Sequence, residues 1–230
     1  MRTYLAELLR SANRATAALV VLCLAAVTFT TLNSGAQHPD EPLIGFQQAA
    51  ILIATLLMGR AAVVGAGDFS GGTIRPWLIA APSRGPAFLG KMAASVTVAL
   101  GFSVLVAIAS YATNAVLGKG ASFGALAAAT GFLAITCAAF TLFGHAVGVL
   151  TRSIPVALTI TLAWVLPAEH LLANYPAAVP WLPGMLLDGL NQGQLPPGGT
   201  TGSVLIHALL PFVVLEAVAL VFFARRDVNS

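Results

Sequence analysis

One carboxylate stands out because it lies inside a long apolar run. Glu216 falls near the middle of the last such run, about a turn and a half after Pro211. A carboxylate in apolar surroundings is costly unless it is paired, protonated or in contact with water. Two roles therefore stay open for Glu216: contact with a substrate or a proton, or a hydrogen bond to a neighbouring helix.

Two histidines lie in apolar runs as well. His207 is about one helical turn before Pro211, and it can pair with Glu216 only if that helix kinks. His145 lies between Gly144 and Gly148, a Gly-x-x-x-Gly pattern that allows two helix backbones to approach closely. Helix packing is the favoured role for His145. We nevertheless keep His145, His207 and Glu216 as candidates for a substrate pathway.

A second group of polar residues interrupts the apolar sequence over residues 67–84, which read Gly-Asp-Phe-Ser-Gly-Gly-Thr-Ile-Arg-Pro-Trp-Leu-Ile-Ala-Ala-Pro-Ser-Arg. The position of Asp68 predicts that its carboxylate caps the N-terminus of a short helix. Arg75 lies about two turns further on, so it shares a face with Asp68. The segment therefore predicts a polar docking surface. The alternative is a solvated loop whose charges serve only the membrane topology.

Several common catalytic motifs do not occur in the sequence. There is no Gly-x-x-x-x-Gly-Lys-Ser/Thr, and the glycine-rich stretch 65–72 has no lysine to reach a phosphate. There is also no His-Glu-x-x-His or Cys-x-x-Cys, and Ser70 has no neighbouring base. We therefore expect this chain to be no enzyme and to hold no metal or other cofactor of its own.

The amino-acid composition indicates what kind of fold positions these polar residues. Of the 230 residues, 58% are hydrophobic and only 8% are charged, against about 25% charged in a typical soluble domain. The chain is long enough for several membrane spans of about 20 residues each, and too short to add a sizeable soluble domain. The predicted fold is a single, all-α integral membrane domain over residues 1–230.

The apolar runs predict six membrane spans, at about 15–32, 44–64, 88–116, 123–150, 154–172 and 204–224. Leucines at helical spacing, opposite Glu7 and Arg10, predict an interfacial helix over residues 1–14. Prolines and polar residues between 167 and 199 rule out a regular span there. A re-entrant hairpin around 179–190 is predicted instead, before the last span.

The distribution of basic residues predicts the orientation of the spans. With both termini in the cytoplasm, ten of the eleven Lys and Arg residues fall on the cytoplasmic side, and only Lys119 falls outside. This is the pattern of the positive-inside rule. We therefore expect a multi-pass protein of the bacterial inner or plasma membrane, with residues 67–87 in its largest cytoplasmic connection.

This connection carries a resemblance to a known family. It resembles the acidic-aromatic-x-x-Gly-Thr-x-Arg segment, followed by Pro-x-Arg and then a lysine, of permease subunits of type-2 ABC transporters. The matching residues here are Asp68, Phe69, Gly72, Thr73, Arg75, Pro82, Arg84 and Lys91. Six spans, an N-terminal interfacial helix and a re-entrant hairpin before the last span are also similar to that family.

The resemblance implies that residues 67–87 form a coupling helix that docks on a cytosolic ATPase. The docking residues it implies are Asp68, Phe69, Gly72, Thr73, Arg75, Pro82 and Arg84. It further implies two separate ATPase subunits that hold ATP and Mg, and a second permease, identical or paralogous, that completes the pathway. Export of a drug, peptide antibiotic, lipid or other amphipathic compound is the implied activity. No nucleic acid partner is expected.

Two other classes of function remain open. An ion-driven secondary carrier is expected to show internal repeats and paired broken helices near the midplane, and the sequence has no convincing repeat. A membrane scaffold or immunity protein does not need the docking segment. The ATP-driven exporter subunit is the favoured prediction.

Overall fold

The computed structural model describes residues 2–38, 40–73 and 83–225, and every regular element in these ranges is a helix. The elements are α1 (Arg2–Ser11), α2 (Arg14–Gln37), α3 (Ile44–Ser70), α4 (Arg84–Val116), α5 (Phe123–Thr151), α6 (Ile154–Ala163), a π-helical turn (Trp164–Ala168), α7 (Glu169–Leu172), a 3-10 turn (Val179–Trp181), α8 (Pro183–Asn191) and α9 (Thr201–Arg225). The prediction of an all-α fold is confirmed.

Five of the helices, α2, α3, α4, α5 and α9, are long and apolar enough to cross a membrane. They correspond to five of the six predicted spans, and they make the chain a multi-pass membrane protein. The remaining predicted span, 154–172, consists of α6, the π-helical turn and α7 in succession. The π-helical turn contains Pro167, which has no backbone N–H to donate within a helix. The sixth crossing therefore stays a prediction.

Two helices extend beyond the predicted bounds on either side of the connection at 71–83. The second span was predicted to end at residue 64, but α3 continues to Ser70. The third was predicted to begin at residue 88, but α4 begins at Arg84. The polar residue Asp68 does not end α3, because Arg10 and Lys91 pair with its carboxylate inside the protein. Much of the predicted coupling segment, 74–82, lies outside the described residues.

Local sequence signals explain several of the other helix ends. The Asn13 side chain accepts a hydrogen bond from the Thr16 amide at 2.9 Å, which caps the N-terminus of α2. Ser122 caps α5 in the same way. At the other end of α5, Arg152 adopts a left-handed conformation with φ of 55°. Pro155 in the first turn of α6 then starts the next helix.

Helix α3 lies at the centre of the molecule, against α2, α5 and α6. In its most apolar window, 61% of the residues are buried, compared with 17% in α2. Its closest contact is with α5, where Gly144 and Gly148 pass directly over the backbone of Met58 and Ala62. A Cβ atom on Gly65 would likewise lie 2.7 Å from the His145 carbonyl oxygen. The predicted packing role of Gly-x-x-x-Gly is therefore confirmed.

Helix α1 packs against α4, where a Cβ atom on Gly90 would lie 2.9 Å from the Thr3 hydroxyl oxygen. Its polar side faces the protein: Glu7 is buried, whereas Leu5 and Leu9 are exposed. The apolar side of α1 thus points away from the helix bundle. This arrangement suits a helix that lies on a membrane surface, although that position remains a prediction.

Candidate functional site

The Asp68 carboxylate is the centre of a buried charge cluster at the end of α3. Its side chain is 1% exposed. Its Oδ1 atom accepts hydrogen bonds from Arg10 Nη2 at 2.8 Å and from Thr73 Oγ1 at 2.9 Å. Its Oδ2 atom forms an ion pair with Lys91 Nζ. One carboxylate therefore connects α1, α3, α4 and the first residues after α3.

Lys91, the partner of Asp68 in this ion pair, is also buried. Only 6% of its side chain is exposed, and its Nζ atom also donates to the Val64 carbonyl oxygen at 3.4 Å. A buried charge is tolerated when it is paired and its remaining protons are hydrogen-bonded. The burial of each charge, on Asp68 and on Lys91, is therefore tolerated only because the other is present.

Arg10 closes the cluster on the α1 side. Its Nη1 atom lies 3.7 Å from Glu7 Oε1, and about half of its side chain is exposed. The hydrogen bond to Asp68 raises the pKa of the Arg10 guanidinium, with an opposing effect from partial burial. Two carboxylates and two cations thus balance at the end of α3. This geometry suits a structural anchor that holds three helices together.

The prediction that Asp68 caps the N-terminus of a short helix is wrong. Asp68 lies inside the last turn of α3, and its carboxylate is buried. The physical reason is that Arg10 and Lys91, from two other helices, form charge-assisted contacts with this carboxylate and hold it inside the protein. The role of Asp68 in docking on an ATPase stays a prediction.

The other predicted docking residues fall into three groups. Gly72, with φ of 68°, and Thr73 are exposed in the turn after α3. Phe69 and Arg84 contact the end of α9: the Phe69 ring lies 6.2 Å from that of Phe223, and Arg84 Nη1 donates to the Ala224 carbonyl oxygen at 3.4 Å. The two predicted residues outside the described ranges are Arg75 and Pro82.

The ends of α3 and α5 also meet beside this connection. The Arg152 guanidinium carbon lies 4.9 Å from the centre of the Phe69 ring, and Ser70 Oγ donates to the Arg152 carbonyl oxygen at 3.3 Å. The described helix ends on both sides of the connection, at Ser70 and Arg84, therefore contact the ends of α5 and α9.

A second polar pair lies deeper in the bundle, between α5 and α9. His145 Nδ1 and Glu216 Oε1 are 2.7 Å apart, and both side chains are buried. The Phe88 ring packs edge-on against His145, with ring centres 5.0 Å apart. Of the alternatives for Glu216, the structure shows the hydrogen bond to a neighbouring helix. Contact of Glu216 with a substrate or a proton stays a prediction.

This pair retains hydrogen-bonding capacity. His145 Nε2 and Glu216 Oε2 are buried and have no hydrogen-bond partner among the described residues. A cavity of about 10 Å³ lies between His145 and Lys91, close to the smallest space that holds one water molecule. His145 therefore contacts Glu216 and also lines the same small cavity as Lys91.

His207 does not join Glu216. Its Nδ1 atom lies 2.8 Å from the Ser203 carbonyl oxygen in the same helix, and its ring packs edge-on against Trp181 at 5.1 Å. The structure thus brings together two of the three predicted pathway residues, His145 and Glu216, and leaves His207 apart.

A further buried carboxylate, Glu169, was not predicted as a functional residue. It accepts hydrogen bonds from Trp164 Nε1 at 2.9 Å and from the amides of Gly184 and Met185 at 3.0 and 2.8 Å. It therefore caps the N-terminus of α8 from a distant part of the chain. Pro183 signals a helix start in the sequence, but nothing there indicates which carboxylate reaches it.

Among the described residues, no group of three His, Cys, Asp or Glu side chains is arranged to hold a metal ion. No protein family is found to match the chain, and no curated protein is found to be similar to it. The class defined by the fold is that of a multi-pass, all-helical membrane protein with a buried ionic anchor at the end of one central helix.

Proposed function

We propose that this chain is the membrane-spanning permease subunit of an ATP-driven exporter of the type-2 ABC class. The observation that carries the proposal is the anchoring of Asp68, which binds Arg10 in α1, Lys91 in α4 and Thr73 in the connection. The connection that begins at Gly71 carries the resemblance to a coupling helix. Its two ends are thereby tied to one another and to α1.

In this proposal, the connection docks on a cytosolic ATPase and the Asp68 cluster transmits its movement. ATP binding draws two ATPases together and displaces the docked segments. Because Asp68 ties the ends of α3 and α4, the two helices move as a unit with α1. The populations of the inward-open and outward-open states then change through the different affinities of the two states for ATP.

The remaining parts of the proposal follow from the same assignment. The chain crosses the bacterial inner or plasma membrane six times, with both termini in the cytoplasm. Two permease copies, or one copy and a paralogue, enclose a pathway for a drug, peptide antibiotic, lipid or other amphipathic compound. ATP and Mg are bound by the partner and not by this chain.

Co-purification of the tagged full-length chain in mild detergent tests this function. Arg75→Glu reverses the charge in the segment that resembles a coupling helix, whereas Asp68→Asn weakens the anchor behind it. Lys119→Glu is the matched control, because it reverses a charge just beyond the opposite end of α4. We expect a cytosolic ATPase to co-elute with the wild type and Lys119→Glu, and to be lost from Arg75→Glu. Asp68→Asn is expected to retain less of it.

Two results would contradict this assignment or part of it. If no ATPase associates with the wild type, even in lipid nanodiscs, the permease assignment fails. If the ATPase associates equally with Arg75→Glu, the docking segment lies elsewhere on the chain.

An ion-driven carrier is the second candidate, and the His145–Glu216 pair favours it. Buried ionisable pairs with remaining hydrogen-bonding capacity occur in proton relays of carriers. For a carrier, proton uptake into proteoliposomes that contain only this chain is expected, and Glu216→Gln is expected to abolish it. For the ABC exporter, the chain alone is expected to show no proton uptake.

A further inference from the structure

A cavity of about 460 Å³ lies next to the Asp68 cluster, between α1, the start of α2, the second half of α3 and α6. It is open to the molecular surface. Its walls are of two kinds: charged and polar groups from α1, α3 and α4, and apolar side chains from α2, α3 and α6. Such a lining suits an amphipathic ligand with a charged group at one end.

Arg60 is the one cation in this lining without a carboxylate within 4 Å among the described residues. Both carboxylates of the cavity, Glu7 and Asp68, are engaged by Arg10 and Lys91. The contact of Arg60 to another side chain is a long hydrogen bond from Nε to Thr16 Oγ1, at 3.4 Å. A guanidinium has five donors and stays charged, so most of its capacity is open to a ligand.

The contact with Thr16 also places the Arg60 guanidinium beside the N-terminal end of α2. Thr16 lies in the first turn of α2, where the apolar run of that helix begins. Because α2 is long and apolar enough to cross a membrane, the guanidinium beside its first turn is expected at the depth of lipid head groups. Leu19, Leu56 and Leu158 continue the cavity wall with apolar surface.

We propose that this cavity binds the phosphate group of an anionic phospholipid, with Arg60 as the anchoring residue. The guanidinium donates to the phosphate oxygens, and the leucine-lined wall takes the first part of an acyl chain. The apolar wall favours a lipid over free inorganic phosphate, which has nothing to place there. The proposal does not rest on the transport function and applies to any role in a membrane.

Native mass spectrometry of the full-length chain in detergent tests the proposal, with phosphatidylglycerol and phosphatidylcholine as the two lipid probes. We expect the wild type to retain phosphatidylglycerol in preference to phosphatidylcholine. Arg60→Gln is expected to weaken this retention about tenfold, the factor given by the loss of one charge-assisted hydrogen bond. Arg14→Gln is the matched control, because Arg14 is exposed and does not line the cavity.

A second variant covers the case in which Arg60→Gln does not fold. A Cβ atom on Gly59 would meet only Leu158 Cδ2, at an ordinary 3.6 Å, and Gly59 lines the cavity, so Gly59→Leu is expected to fill part of it. It leaves Arg60 in place and is expected to weaken phosphatidylglycerol retention to a similar extent.

Three results would overturn the proposal. The first is equal retention of phosphatidylglycerol by the wild type and both cavity variants. The second is an equal loss in Arg14→Gln, which would indicate attraction to surface charge alone. The third is displacement of the lipid by millimolar inorganic phosphate, which would identify the ligand as a free anion.

Discussion

Asp68 and Lys91 form an ion pair in which 1% and 6% of the two side chains are exposed. The pair joins the last turn of α3 to the first turns of α4, across the connection that carries the family resemblance. Both side chains are too deeply buried for water to solvate a charge that has lost its partner. Moving these two helix ends apart would leave both buried charges without a partner, so the pair stabilises their relative position.

Removal of one partner is expected to be much worse than removal of both. Asp68→Ala leaves the Lys91 ammonium buried without a carboxylate, and the expected loss of stability is about 3–5 kcal/mol. The double variant Asp68→Ala/Lys91→Met removes both charges and is expected to regain a large part of this loss. Thermal unfolding of the purified protein in detergent measures both effects.

Asp40→Ala is the control for this comparison, because Asp40 is exposed. This substitution is expected to leave the free energy of unfolding within about 0.5 kcal/mol of the wild type. Strictly additive losses in the double variant would show that Asp68 and Lys91 do not stabilise each other.

The long helices and one of their contacts could be predicted from sequence. Runs of about 20 apolar residues have few alternatives to a membrane helix, and five of them are confirmed. Gly144 and Gly148 indicated a close helix contact because small residues at this spacing have few other uses in an apolar helix. Both signals are local, within one helix.

The charge partners could not be predicted, because they come from distant parts of the chain. His145 and Glu216 are 71 residues apart, and Asp68 and Lys91 are 23 apart. The error at Asp68 followed from this. Without its partners, a carboxylate near glycines indicates a helix start, and with them it stays within a helix.

The contact between α3 and α5 predicts a strong difference between two glycines of α5. A Cβ atom on Gly148 would collide with the Ala62 carbonyl oxygen, whereas one on Gly131 would have nothing within 4 Å. Gly148→Ala is expected to cost about 1–3 kcal/mol, because the two backbones must separate. Gly131→Ala is expected to be neutral or to stabilise the helix by up to about 1 kcal/mol.

Thermal stability and monodispersity in size-exclusion chromatography measure this difference. Equal stability of Gly148→Ala and Gly131→Ala would contradict the close packing of α3 on α5.

The Glu169 carboxylate is expected to control the stability of α8. Glu169→Ala leaves the amides of Gly184 and Met185 without their acceptor, at about 1–3 kcal/mol for the buried Gly184 donor and less for the part-buried Met185 donor. Hydrogen exchange at these two amides is therefore expected to accelerate at least tenfold, as measured by mass spectrometry. Glu41→Ala, at an exposed carboxylate, is expected to leave the exchange unchanged. Equal protection in both variants would show that α8 does not depend on the cap.

The sixth crossing predicts that residues on either side of 154–172 lie on opposite sides of the membrane. Ser70 lies beside Arg152, so Ser70→Cys reports the side from which α6 begins. Asn174→Cys reports the side reached after α7, and Gly120→Cys marks the far end of α4. The two native thiols, Cys23 and Cys137, are buried and are expected to give little background.

Labelling with a membrane-impermeant maleimide in intact cells and in inverted vesicles distinguishes the two topologies. With six crossings, Asn174→Cys is expected to label together with Gly120→Cys and opposite to Ser70→Cys. If the π-helical turn at Pro167 sends the chain back instead, Asn174→Cys labels together with Ser70→Cys. That result would place α9 in the reverse orientation and move the C-terminus to the outside. It would also remove the agreement of Arg225 and Arg226 with the positive-inside rule.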